Sequence, residues 1–141
     1  MTFLPDVNVW IALAVSGHPQ HTSANDWFEN AGSDRLVFCR ITEMGLLRLL
    51  TNAHVMDGAA LTAEEAWNVR DQFHSDSRVR FVPEGSGFED QWRQTSGAGK
   101  IGANFWTDAY LSSFCALGGY TLLTFDKALA KQKLCKVHLL K

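Results

Sequence analysis

Four acidic side chains fall where a short apolar segment ends or a helix begins. Asp6 follows the first apolar segment, Glu43 lies a few residues after the second, and Asp126 comes directly after the segment YTLLTF. Asp108 lies one helical turn after Asn104, so these two side chains share one face of a predicted helix. Carboxylates gathered in one place repel one another and are costly to desolvate, so such a group implies a shared cation.

The donor atoms of these acids favour Mg²⁺ or Mn²⁺ as that cation. All four acids offer oxygen ligands, which suit hard divalent ions, and no Cys or His accompanies them at metal-ligand spacing. His18 and His21 are interpreted as surface residues at the start of a helix, because no third soft ligand is near.

Each acid also has a simpler interpretation when it is taken singly. An acidic residue at a helix N-terminus accepts hydrogen bonds from free N–H groups and interacts favourably with the helix dipole. This capping interpretation is strongest for Glu43 and Asp126 and weaker for Asp108 and Asp6. It is weakest for the four acids together.

The elements that must position the acids alternate between strand and helix. Strands are predicted over residues 2–4, 36–39, 78–82, 120–125 and 137–140. Helices are predicted over residues 41–51, 88–94 and 105–117. Two further helices are predicted to begin at the capping box of residues 62–65 and at Asp126. Residues 9–15 are too densely apolar for periodicity to separate strand from helix. The alternation predicts an α/β fold with a mostly parallel sheet and helices on both faces. The acids would then gather at the edge where the carboxyl ends of the strands lie.

Composition sets outer limits on function. The 141 residues are predicted to form a single domain (residues 1–141), and the 46% hydrophobic and 20% charged shares are those of a soluble globular protein. No segment is long and apolar enough to suggest a membrane span. The net charge of −2 gives no support to a broad basic surface for nucleic acid, so any such function must come from a local site. Cys39, Cys115 and Cys135 form no CxxC pair, which indicates reduced thiols and a cytoplasmic location.

Three segments carry a family resemblance that spans essentially the whole chain. PDVNVWIALA, RITEMGLLRLL and FWTDAYLSSFCALGGYTLLTFDKAL resemble the PIN-domain ribonucleases, and in particular the VapC-like toxins of bacterial toxin–antitoxin pairs. The most specific part is TDAYL followed by TLLTFD. The resemblance implies a three-layer α/β/α sandwich around a mostly parallel sheet. Val7, where many relatives carry Thr or Ser, and the glycine-rich loop TSGAGKIGAN depart from the family pattern and bear on substrate choice.

The resemblance also implies an activity, a Mg²⁺- or Mn²⁺-dependent endoribonuclease. The family's acids fall on Asp6, Glu43, Asp108 and Asp126. Asp6, Asp108 and Asp126 are expected to hold the metal, and Glu43 to complete its shell or to orient the attacking water. Attack by water implies products with 5′-phosphate and 3′-hydroxyl ends. The residues predicted to contact the substrate are Asn8, Lys100, Asn104 and Thr124, with Lys100 available to an RNA phosphate.

The expected partners are RNA, a cognate antitoxin and a second copy of the chain. Clustered carboxylates favour an antitoxin that reaches them with an arginine fork, and dimerisation rests on the family resemblance alone. A PIN scaffold that binds RNA or protein without cutting remains an alternative. A phosphotransfer enzyme with an aspartyl nucleophile is less favoured, because such a site needs a second Asp where Asn8 stands.

Overall fold

Strands and helices alternate through residues 1–97 and 99–141, which the computed structural model describes. Ala98, within the loop TSGAGKIGAN, lies outside the described residues. In chain order the elements are β1 (Thr2–Pro5), α1 (Val7–Ala14), α2 (His21–Asn30), β2 (Arg35–Phe38), α3 (Arg40–Leu50), α4 (Ala63–His74), β3 (Val79–Phe81), α5 (Phe88–Thr95), α6 (Phe105–Gly118), β4 (Thr121–Thr124), α7 (Lys127–Lys131) and β5 (Val137–Leu139).

The strands form a five-stranded sheet in the order β3-β2-β1-β4-β5. Every neighbouring pair is parallel, which confirms the predicted α/β class. The chain runs outward from β1 through β2 and β3, then returns to the other side of β1 with β4 and β5. The carboxyl ends of β1 and β4 therefore flank a topological switch point, where open α/β sheets form ligand sites.

Side-chain alternation along the strands builds a core on each face of the sheet. In β2, Leu36 and Phe38 join one apolar cluster with residues of α1 and α3. Val37, between them, joins a second cluster with residues of α6, because successive strand residues point to opposite faces. Two helical layers thus cover the sheet, as the resemblance implied. Within the described residues, no helix is long and apolar enough to cross a membrane.

Helix α1 resolves the segment whose periodicity was ambiguous. Its indole at Trp10 is fully buried and stacks on Phe38 with ring centroids 3.8 Å apart. The helix also approaches α3 closely, since a Cβ added at Gly45 would lie 2.5 Å from Cγ2 of Val7. Val7 therefore contributes to the packing that fixes the start of α1, directly after Asp6.

Candidate functional site

One hydroxyl group links the acids that follow β1 and β4. Asp6 Oδ1 accepts a hydrogen bond from the Val7 backbone N–H at 2.7 Å, and Asp6 Oδ2 accepts one from the Thr124 hydroxyl at 3.1 Å. The same Thr124 oxygen accepts a hydrogen bond from the backbone N–H of Asp126 at 3.0 Å. Thr124, predicted to contact the substrate, is itself fully buried and positions the two acids.

Asp6 and Asp126 are also helix caps. Asp6 is the N-cap of α1. Asp126 Oδ1 accepts hydrogen bonds from the backbone N–H groups of Ala128 and Leu129, at 2.8 and 3.1 Å, at the start of α7. The capping interpretation therefore applies to both acids, but each cap uses only one carboxylate oxygen. The other oxygen of each residue lies outside the cap.

Asp108 stands close enough to both of these acids for their charges to act on it. It lies in the first turn of α6 and is partly buried. The pKa of Asp108 is raised to about 6, chiefly by burial and in addition by the negative charges of Asp6 and Asp126. Burial also raises the pKa of Asp6, against the lowering effect of its bonds to Val7 and Thr124. The structure thus brings together three of the predicted acids in an environment that disfavours their ionised forms.

The donor chemistry of this group fits a hard divalent cation. Among residues 1–97 and 99–141, no three His, Cys, Asp or Glu side chains are arranged so that they could coordinate one metal ion. The three carboxylates lie near enough to repel but are not drawn together around one point. Asn8 Oδ1, two residues along the chain from Asp6, is buried without a hydrogen-bond partner among the described residues. A buried polar oxygen without a partner is costly, and a cation would satisfy it. All these donors are oxygens, as Mg²⁺ and Mn²⁺ prefer.

Glu43 occupies a different electrostatic environment from the other three acids. Its side chain is 2% exposed, and its oxygens accept bonds from Arg40 at 2.6 Å and from Arg70 at 3.0 Å. His74 Nε2 lies 4.0 Å from the same carboxylate, and burial together with Arg70 lowers the pKa of His74. Each oxygen of Glu43 thus accepts a bond from a guanidinium group. For Glu43 to bind a water or a metal, its carboxylate would have to be shared with Arg40, the more exposed of the two arginines.

Arg70 was not among the residues that the sequence analysis selected. It belongs to α4 and reaches Glu43 across 27 positions of sequence. Nothing in the local pattern around Arg70 marks it as a partner of an acid in α3. Only the packing of α4 against α3 brings the two side chains together.

The remaining predicted residues fall into two groups, one beside Asp108 and one near the start of α2. Lys100 and Asn104 line a cavity of about 430 Å³ that Asp108 also borders. His21 begins α2 and its Nδ1 lies 2.7 Å from the backbone oxygen of Ala12. His18 Nδ1 accepts a hydrogen bond from the Gln20 backbone N–H at 3.0 Å. His18 thus contacts the turn before α2, and His21 links the start of α2 to α1.

Comparison with known proteins assigns the chain to a family. Residues 3–133 match the model of the PIN domain. The chain belongs to the PIN-domain family. It is 38% identical over 130 residues to Ribonuclease VapC41 of Mycobacterium tuberculosis, with 89% of each chain covered. It is 32% identical over 130 residues to Ribonuclease VapC29 of the same organism, covering 92% of this chain and 90% of the relative. The expected VapC-like family membership is confirmed.

Solved structures support the PIN fold. VapBC2 of Rickettsia felis, bound to a DNA fragment from its promoter, aligns with a TM-score of 0.71 at 13% identity over 100% of both chains. VapC20 of Mycobacterium tuberculosis, a toxin that cleaves the sarcin–ricin loop, aligns with a TM-score of 0.68 at 16% identity, covering 93% of this chain and 95% of that one.

Proposed function

We propose that this PIN-domain chain is a Mg²⁺- or Mn²⁺-dependent endoribonuclease and the toxin of a type II toxin–antitoxin pair. The observation that carries the proposal is the Asp108 carboxyl, which lies partly buried near Asp6 and Asp126 and has its pKa raised by burial and by the negative charges of these two acids. Such an arrangement is costly unless a cation joins it. The ribonuclease names of the relatives support RNA as the substrate.

In the proposed mechanism each residue has a separate task. Asp6, Asp108 and Asp126 would hold the metal, and Thr124 fixes the orientation of Asp6 by donating a hydrogen bond to it. When bound there, a divalent ion would lower the pKa of a water and offset the negative charge of the phosphate. Glu43 would orient the attacking water. Cleavage breaks the P–O3′ bond, so the products carry 5′-phosphate and 3′-hydroxyl ends.

The same acids suit a protein inhibitor. Several similar solved structures contain toxin–antitoxin complexes, VapBC2 of Rickettsia felis and FitAB among them. We infer that a cognate antitoxin reaches Asp6, Asp108 and Asp126 with an arginine fork, which fits carboxylates better than a lysine point charge. A homodimer and a cytoplasmic location belong to the same proposal by analogy with the family.

The activity is tested with purified protein and structured RNA. EDTA should abolish cleavage, and added Mn²⁺ should restore it, with 5′-phosphate ends on the downstream fragments. Full cleavage in EDTA would overturn the metal mechanism. Binding of RNA without cleavage in Mn²⁺, across tRNA, ribosomal RNA and messenger RNA, would instead assign the chain to the PIN scaffolds that do not cut.

A further inference from the structure

A cavity of about 430 Å³ opens beside the proposed catalytic acids. It lies between the start of α6, the end of α7 and the loop that precedes α6, and Asp108 forms part of its wall. The other residues that matter to its chemistry are Thr95, Lys100, Asn104, Phe105, Gln132 and Leu134. A volume of this size lies in the lower part of the range of small-molecule sites, roughly 300–1,000 Å³.

The wall of this cavity combines the groups that recognise a nucleobase. Phe105 and Leu134 supply apolar surface against which a planar ring can pack, while Asn104 and Gln132 supply amides for a base edge. Asn104 stands at the N-cap position of α6, yet among the described residues its side chain makes no capping hydrogen bond, so capping does not occupy its amide. Lys100 places a cation at the same cavity for the phosphate that accompanies a base.

We propose that this cavity holds one unstacked base of the RNA, that of a nucleotide next to the cleaved phosphate, and so sets the base preference at that position. The inference rests on the proposed ribonuclease function, because Asp108 belongs both to the cavity wall and to the acid group. Sequence-specific recognition of RNA generally uses single-stranded bases that are splayed out of the stack. The antitoxin arginine proposed above would be directed at the carboxylates, whereas the amides and the apolar surface of the cavity fit a base.

Filling the cavity is the direct test. Leu134→Trp places a large ring in the cavity, and Leu117→Trp is the matched control because both leucines are 41% exposed. Leu117 lies near the C-terminal end of α6, about 14 Å along the helix from Asp108 at ~1.5 Å per residue. An RNA with a randomised single-stranded loop is cut in Mn²⁺, and the product ends are sequenced.

The wild type and Leu117→Trp should share a preference for particular bases at one position beside the cut. Leu134→Trp should lose that preference, or cut the preferred sequences at least ~10-fold more slowly, as the loss of one good base contact implies. Gln132→Ala, which removes an amide without adding bulk, should weaken the preference at the same position with an unchanged melting temperature. This second variant decides the question if Leu134→Trp fails to fold.

Several outcomes would overturn the inference while the proposed function stands. The wild type could cut without any base preference, or the variants could keep the wild-type preference and rate. The Leu134→Trp protein could also lose inhibition by the antitoxin while its base preference stays that of the wild type. Absence of cleavage of every RNA by the wild type in Mn²⁺ is a different result. It would overturn the proposed function and the inference together.

Discussion

The hydroxyl of Thr124 is the contact on which the geometry of two proposed metal ligands depends. Thr124→Val keeps the shape of the side chain but removes the donor to Asp6 and the acceptor for the Asp126 backbone N–H. We expect RNA cleavage to fall at least ~10-fold and the free energy of unfolding to fall by about 1–2 kcal/mol, the cost of buried polar groups left without partners. Cleavage assays and thermal melts measure the two effects.

Two further variants separate this role from general packing. Thr124→Ser keeps the hydroxyl and should retain most of the activity. Thr121→Val changes another buried threonine of the same strand and should cut RNA like the wild type. A Thr124→Val protein with wild-type cleavage would show that the hydroxyl does not position the acids.

Asp108 makes the metal-free protein sensitive to pH. Its pKa is raised from 3.8 to about 6 in the folded state, so the folded chain holds this proton more tightly than the unfolded chain does. Between pH 3.8 and 6 stability therefore falls as pH rises, and above that range the full penalty is present. Below pH 3.8 both states are protonated at this residue and the penalty is absent.

The consequence is measurable by comparison with Asp108→Asn in EDTA. Above pH 6 the variant should be the more stable protein by about 1 kcal/mol after allowance for solvent screening of a partly exposed carboxylate, or ~3 °C in melting temperature. Toward pH 4 this difference should vanish. Melting curves at pH 4, 5, 6 and 7.5 give the result, and a difference that does not change with pH would exclude a raised pKa at Asp108.

At the scale of elements, the ion pair between Arg70 and Glu43 joins α4 to α3. Arg70→Met leaves Glu43 buried with Arg40, whose side chain is 62% exposed, and with His74 at 4.0 Å. Removal of one partner from a buried ion pair is strongly destabilising, and because Arg40 remains we expect the free energy of unfolding to fall by about 2 kcal/mol. Urea unfolding measures this loss. Arg80→Met, at an exposed arginine of β3, is the control and should change stability little. A stable Arg70→Met protein would show that Arg40 and His74 satisfy Glu43 without Arg70.

The same ion pair marks a limit of prediction from sequence at this scale. Strand and helix positions follow from local patterns, so β1, β2, β4 and the capping box of α4 were predicted closely. Glu43 was predicted from its place after β2, but its pairing with Arg70 depends on how two helices pack. The secondary structure of residues 9–15 stayed ambiguous because a helix that is buried on most sides, such as α1, has apolar residues all round and shows no helical periodicity.

Across the whole molecule, the order of the strands decides which acids meet. The order β3-β2-β1-β4-β5 sets the ends of β1 and β4 side by side, and so places Asp6 beside Asp126. Asp108 joins them through α6, which precedes β4 directly. The alternation of elements predicted the parallel sheet but not this order, since strand adjacency depends on contacts distant in sequence. The cavity beside Asp108 was missed because its wall combines α6, α7 and a loop.

The direct test of a cation site at the three acids is the melting of wild type and Asp108→Asn with and without Mn²⁺, at pH 7.5, beside one cleavage assay. A cation bound only by the folded state should stabilise the wild type by about 2.7 kcal/mol at a hundredfold excess over Kd. Without metal, Asp108→Asn should melt above the wild type. It should also show a smaller Mn²⁺ shift and lose cleavage. A variant that melts lower than the wild type, keeps the full Mn²⁺ shift and still cuts RNA would remove Asp108 from the site.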